Sequence, residues 1–353
     1  MDWIRGEKLG HGSFATVSLA VPKKQSNQNP PLMAVKSCGV LHSSSLMREK
    51  LILDELKDCP EIIQCYGESF SYENGEKLYN VLLEYASGGA LSEKLKNSDD
   101  HRLPELEIRR YTKSLLKGLN FIHKAGYVHC DIKLQNILIT PNGLKIADFG
   151  LAKRAGIEKK EFCSPGCEMR GTPLYMSPET VTGGEQGPPA DIWALGCSVA
   201  EMVTGTPAWR CADDVAELLM RIGVGDELPE IPSDLSEEGK DFIRCCFVKD
   251  PIKRWTAEML LDHPFIYGYD DDDLSTVALE YNYIKQENRE ASPSPRCPFD
   301  FSTCFTTLPS SEYTQESFSW FSGDQISAAE RLRSVASEKG PDWSVTEDWV
   351  TVR

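Results

Sequence analysis

With 353 residues, 41% of them hydrophobic, the chain is long enough for a large two-lobed domain plus an appendage and apolar enough for a sizeable core. A net charge of −16 argues against general binding to nucleic acid, and no apolar run approaches the roughly 20 residues of a membrane span. The charge is uneven: residues 269–353 hold 16 acidic and 7 basic residues, a net of −9, which leaves −7 for residues 1–268. The last quarter therefore reads as a separate, less compact region.

Met1-Asp2-Trp3-Ile4-Arg5 lacks the apolar stretch of a signal peptide and the Met-Gly start of a myristoylation site, so an intracellular protein is expected. Twelve cysteines lie scattered without metal-ligand spacing and read as free thiols, mostly small core residues.

Residues 6–21 read as strand, glycine turn, strand, and Gly10 and Gly12 carry no side chain to keep backbone amides from phosphate oxygens. Residues 32–36 form an apolar strand with one lysine, Lys36, either a strand-end charge reaching solvent or a cation gripping phosphates. Residues 44–57 have helical spacing with Leu46, Leu53 and Leu56 on one stripe. Glu49 lies one turn before Leu53, whereas Glu55 falls on a solvated face. Residues 60–85 read as two strands around Glu73-Asn74-Gly75. Residues 103–123 predict a long helix with Ile108, Tyr111, Leu115, Leu116, Leu119 and Ile122 inward.

The chain is organised around His129-Cys130-Asp131-Ile132-Lys133-Leu134-Gln135-Asn136, followed by Asp148-Phe149-Gly150. Each polar residue has a task in moving a phosphoryl group. Asp131 can accept a proton from a hydroxyl, Lys133 can neutralise charge on the moving phosphate, and Asn136 and Asp148 offer oxygens to a Mg2+ that bridges the phosphates of ATP. Between them Ile137, Leu138, Ile139, Leu144 and Ile146 predict a buried hairpin turning at Pro141-Asn142-Gly143, which fixes the register of base and metal ligand.

This order of helix, H-x-D-x-K-x-x-N loop, hairpin and D-F-G resembles a eukaryotic protein kinase, over residues 3–268. The resemblance implies an α+β fold of two lobes: a β-rich N-lobe with one main helix (3–83), a hinge (84–87) and a mostly helical C-lobe (88–268). Residues 269–353 follow as an acidic, serine-rich, largely disordered regulatory tail. It further implies that Leu9, Gly10, Gly12, Val17, Ala34, Leu83, Glu84, Ala86 and Leu138 surround the nucleotide, with Leu83 as gatekeeper and backbone groups of Glu84 and Ala86 on adenine. Lys36, paired with Glu49, would hold the α- and β-phosphates, with Mg2+ (Mn2+ as a substitute) on Asn136 and Asp148. The sequence departs from the family at Ala15, where a third loop glycine is usual, and at Cys130, where most kinases carry an arginine that pairs with a phosphorylated loop.

Lys133 two residues after Asp131, and Gly171-Thr172-Pro173-Leu174-Tyr175-Met176-Ser177-Pro178-Glu179, where Thr172 is expected to bond Asp131 and Lys133, resemble serine/threonine kinases. Asp191-Ile192-Trp193-Ala194-Leu195-Gly196 resembles the helix that supports the catalytic loop, and Arg254 is expected to pair with Glu179. The N-terminal start, Cys59-Pro60-Glu61-Ile62-Ile63 and the catalytic loop are similar to the plant MEKK-like mitogen-activated protein kinase kinase kinases. That resemblance implies MAP kinase kinases as substrates, stress or hormone signalling such as abscisic acid signalling, and a place in cytoplasm and nucleus. Upstream regulators or phosphatases would act through the tail, where Ser292-Pro293-Ser294-Pro295, a short helix over 326–335 and the aromatic end at Trp343 and Trp349 stand out. The rival readings are another serine/threonine signalling kinase, a pseudokinase scaffold, which usually lacks one of the residues filled here by Lys36, Asp131, Asn136 and Asp148, and a small-molecule kinase, which lacks the 171–179 segment.

Overall fold

The computed structural model describes residues 3–12, 15–23, 32–156, 169–183, 186–209, 214–267 and 292–293. Five strands form the N-terminal layer: β1 (Trp3–His11), β2 (Thr16–Pro22), β3 (Met33–Gly39), β4 (Cys65–Glu73) and β5 (Glu76–Glu84). The connections after β1 and after β4 join antiparallel neighbours, and the second turns at Asn74 and Gly75, both at positive φ as a tight hairpin turn requires. Helix α1 (Ser44–Glu55) lies between β3 and β4 in the chain, and its buried stripe of Leu46, Glu49, Ile52 and Leu53 is an apolar face with one charge in it. Leu46 packs with Cys38, Tyr79 and Val81 under the sheet.

The C-terminal lobe is mostly helical: α2 (Leu91–Lys96), α3 (Glu105–Lys124), α4 (Pro178–Val181), α5 (Pro188–Thr204), α6 (Val215–Gly223), α7 (Glu237–Cys246) and α8 (Ala257–Leu261). The two-lobed α+β architecture is the one the motif order implies. Starts are marked by side-chain caps: Asp214 accepts from Ala216 N, Ser236 from Gly239 N and Thr256 from Met259 N, each satisfying an amide the first turn leaves open. Helix α3 buries Ile108, Tyr111, Leu115, Leu116, Leu119 and Ile122, as its spacing predicts. Helix α5 is buried continuously from Ala190 to Val203, so it is the core about which the lobe is built. At Gly196 a Cβ would stand 2.7 Å from that of Cys246, which shows how closely α5 and α7 approach.

Short strands carry the catalytic loop: β6 (Tyr127–Val128) pairs with β9 (Lys153–Arg154), and β7 (Ile137–Thr140) with β8 (Gly143–Ile146). Residues 60–64, read from sequence as the start of a strand, instead tie the lobes together. Ile63 N donates to Ile146 O at 3.0 Å, and Ile146 N to Glu61 O at 2.7 Å. A strand pattern does not distinguish pairing within a sheet from such a single bridge. In the tail, β10 (Ser292–Pro293) pairs parallel with Gly10 and His11 on the free edge of β1. Nothing in the local residue pattern points to this pairing. Ser164, expected from the sequence as the site of loop phosphorylation, the helix expected over 326–335 and the aromatic end near Trp349 lie outside the described residues.

Candidate active site

Strand β3 places Lys36 between Val17 of β2 and Val81 of β5, its ladder partners. Lys36 Nζ donates to Glu49 Oε1 and Oε2 at 2.8 and 2.7 Å and to Asp148 Oδ1 at 2.8 Å. All three groups are largely removed from solvent. A lone buried ammonium is costly, and two carboxylates compensate it here. Glu49 reaches it because Leu46 and Leu53 turn that face of α1 inward, while Glu55 is exposed and pairs with Arg154 at 2.7 Å. Asp148 has left-handed backbone, φ 63°, before the 3-10 turn Phe149–Leu151. The Phe149 ring is fully buried and meets the edge of His129 at 4.8 Å, which anchors the turn beneath the aspartate.

Asp191 at the start of α5 shapes the catalytic loop. His129 N and Cys130 N donate to its two oxygens, each at 2.9 Å, and His123 Nε2 lies 2.9 Å from Oδ2. Burial alone would push this carboxyl up, but the His123 bond and the backbone donors outweigh it and hold Asp191 below the usual carboxylate value. Cys130 adopts φ 68°, a strained conformation for a residue with a Cβ, and the bonds to Asp191 maintain it. The next residue, Asp131, accepts from Thr172 Oγ1 on Oδ1 at 2.8 Å and from Asn136 Nδ2 on Oδ2 at 2.9 Å. Lys133 Nζ lies 3.1 Å from Asp131 Oδ2 and donates to Thr172 Oγ1 at 2.6 Å. One carboxylate, one ammonium and one hydroxyl therefore converge at a single point. Asn136 spends its amide nitrogen on Asp131, while its Oδ1 is buried with no partner among the described residues.

The other residues implied to surround a nucleotide line the face between the lobes. Gly10 pairs with Val17 across β1 and β2, and Gly12 N donates to Ala15 O at 2.8 Å, which closes the glycine turn. Leu9, Val17, Leu83, Ala86 and Leu138 are half-buried, and Ala34 is buried opposite Leu83. Glu84 N is taken by Gln64 O at 2.9 Å, so an adenine contact at that residue is left to its carbonyl.

Three features of the site were not foreseen. His123 joins Asp191, Gln186 lies beside the loop, and Tyr175 donates its hydroxyl to Glu201 Oε2 on α5. Burial pushes Glu201 up to about 7, against the opposing pull of the Tyr175 bond and of Lys96. A carboxyl raised from about 4.5 to about 7 takes up a proton on folding, so its stabilising contribution is complete below about pH 4.5 and is lost as pH rises through 7. Glu201→Gln should therefore flatten the fall in melting temperature between about pH 5 and 8, and leave the variant about 1–3 kcal/mol more stable than the wild type at the upper end. Parallel profiles for the two proteins in a thermal-unfolding series would contradict this.

Asp241 and Cys245 of α7 and His263 also converge, within 4.8 Å. His263 Nδ1 accepts from Phe265 N at 3.1 Å, so Nε2 keeps its proton toward Asp241, and burial pushes the Cys245 thiol up to about 11. This set packs and caps rather than coordinates. Among the described residues no helix is long and apolar enough to cross a membrane.

Comparison with known proteins agrees with the geometry. The protein kinase domain family matches residues 3–266. Over 357 residues the chain is 49% identical to mitogen-activated protein kinase kinase kinase 20 of Arabidopsis thaliana, covering 100% of both chains. It is 44% identical over 271 residues to kinase kinase kinase 17 of the same plant, covering 75% of this chain and 70% of that one, and 36% identical over 366 residues to number 18, covering 100% and 99%. The chain belongs to the protein kinase family, among its serine/threonine kinases of the mitogen-activated protein kinase kinase kinase type.

Proposed function

We propose that this kinase transfers the γ-phosphoryl group of ATP to serine and threonine hydroxyls of MAP kinase kinases. The observation that carries the chemistry is the convergence of Asp131, Lys133 and Thr172 on one point. Asp131, held on both oxygens, presents a fixed carboxylate to the incoming hydroxyl and accepts its proton. Lys133 neutralises charge on the transferring group, and Lys36, steadied by Glu49, holds the α- and β-phosphates. The orphaned Asn136 Oδ1 and the Asp148 carboxylate fit a hard divalent cation, which takes oxygen ligands. Mg2+, or Mn2+ in its place, would neutralise the ATP phosphates there.

The substrate tier rests on similarity to the Arabidopsis kinases. Stress or hormone signalling such as the abscisic acid response, a cytoplasmic and nuclear location, regulators or phosphatases reached through the tail, and a catalytic unit ending near residue 268 belong to the same proposal. Co-expression of tagged chain with a MAP kinase kinase tests these together. Phosphorylation of the downstream MAP kinase should rise with the full chain and with residues 1–268, but not with Asp148→Asn. The tag should report both compartments, and the rise should follow hormone or stress treatment. A silent truncation beside an active full chain would overturn the boundary.

A further inference from the structure

Between Glu179 and α5 the chain buries a polar side chain for which the reaction above has no task. Gln186 is only 6% exposed, its Nε2 donates to the carbonyl oxygen of Arg170 at 3.0 Å, and its Oε1 is buried with no partner among the described residues. A buried amide is expensive unless its bonds do something that an apolar residue of the same size could not. Here the bond reaches 16 residues back, to the end of the segment that leads into the site.

Arg170 immediately precedes Gly171 and Thr172. Gly171 has φ +110°, and a Cβ there would stand 2.5 Å from Cys130 O, so this turn is pressed directly on the catalytic loop. One residue later the Thr172 hydroxyl bonds Asp131 and Lys133. The carbonyl fixed by Gln186 is thus two residues from the hydroxyl that orients the proton acceptor. Gln186, Arg170, Gly171, Thr172, Cys130, Asp131 and Asp191 line one small cavity of about 10 Å3. Cys130 is buried in it, and burial, with Asp191 adding to it, pushes its thiol far above the ordinary value. It brings no charge with which to hold the loop.

We propose that Gln186 is a positioning residue for phosphoryl transfer: its amide N–H fixes the Arg170 carbonyl and so seats the Gly171–Thr172 turn against Asp131 and Lys133. The tie is neutral, and it stands where the chain has exchanged the usual loop arginine for cysteine. It acts on the phosphoacceptor side, because Lys36, Glu49 and Asp148 are held by other elements.

The inference rests on Asp131 as proton acceptor, and its test runs Asp131→Asn in parallel. Full-length Gln186→Leu and Gln186→Glu are assayed with ATP and myelin basic protein as phosphoacceptor. Removing one buried hydrogen bond from the turn should lower kcat of Gln186→Leu about tenfold, with KM for ATP within about twofold and the melting temperature within about 3 °C. In Gln186→Glu the ionised carboxylate has no donor, whereas the acid form has one. Among the described residues Arg170, Asp131 and Asp191 are the charged groups lining the same cavity; Arg170 favours the ionised form, while burial and the two carboxylates favour the acid form. Its activity relative to wild type should therefore climb severalfold from about pH 8 to about pH 6, while that of Gln186→Leu stays flat.

A folded Gln186→Leu with kcat within about twofold of wild type overturns the inference, as does a KM for ATP that rises in step with the fall in kcat. If Gln186→Leu does not fold, a Gln186→Glu ratio that stays low and flat down to about pH 6 overturns it instead. Undiminished activity of Asp131→Asn would remove the assignment beneath it.

Discussion

Asp131→Asn should lower kcat by about 10³-fold, within the 10²–10⁴ that a positioned proton acceptor supplies, and leave KM for ATP within about threefold. The split follows from the geometry. Asparagine keeps the shape of the side chain, and its oxygen can still accept from Thr172, so the turn at Gly171 need not move. The variant loses the charge that draws the proton from the incoming hydroxyl and that balances Lys133, 3.1 Å away. The phosphate-holding cluster of Lys36, Glu49 and Asp148 is held by its own hydrogen bonds and should be unaffected. Steady-state rates at saturating ATP and protein acceptor would check this, and a kcat within tenfold of wild type would contradict the role given to Asp131.

The largest effect on stability should come from Arg254. Its guanidinium is fully buried and donates to Glu179 Oε1 and Oε2 at 2.6 and 2.9 Å, to Pro189 O at 2.7 Å and to Val248 O at 2.8 Å. It also lies over the Trp193 ring at 5.1 Å. Arg254→Ala would strand a mostly buried carboxylate and two carbonyls at once, a change that costs about 3–5 kcal/mol. Arg254→Lys should recover little, since an ammonium cannot reproduce the fork that spans Glu179. Pairing Arg254→Met with Glu179→Leu should recover more than either single change, because no charge is then left unpaired. Urea unfolding of Arg254→Ala, Arg254→Lys, the Met and Leu single changes and their double would measure this, and a loss under about 1 kcal/mol for Arg254→Ala would contradict the structural role.

Asp131, Lys133, Asn136 and Asp148 were legible in sequence because phosphoryl transfer restricts residue type at fixed spacing, whereas the Arg254–Glu179 pair was expected from the resemblance to protein kinases. Asp131, Lys133 and Asn136 sit on one short loop, and the hairpin to Asp148 carries its own turn signal. Glu49 could be chosen over Glu55 because helical periodicity says which face is buried, and the structure buries the first and exposes the second. Asp191 was reached through the resemblance of its segment to the kinase helix that supports the catalytic loop. What could not be read were pairings set by tertiary approach. Nothing near Gln186 in sequence points to Arg170, and nothing near Glu201 points to Tyr175. Residues 60–64 looked like a strand because their apolar pattern serves a bridge to β8 equally well. The pairing of Ser292 and Pro293 with Gly10 and His11 depends on where a 24-residue connection returns, which local patterning does not encode.

The tier of this kinase is decided by transfer of radiolabelled phosphate from the purified chain to a panel of MAP kinase kinases whose own catalytic lysines are disabled, with Asp148→Asn as the inactive control. Label on serine or threonine of the acceptors' activation loops, absent with the control, is the expected result. Label on generic acceptors alone would keep the kinase and refute the tier, and nucleotide binding without any transfer would contradict the catalytic reading itself.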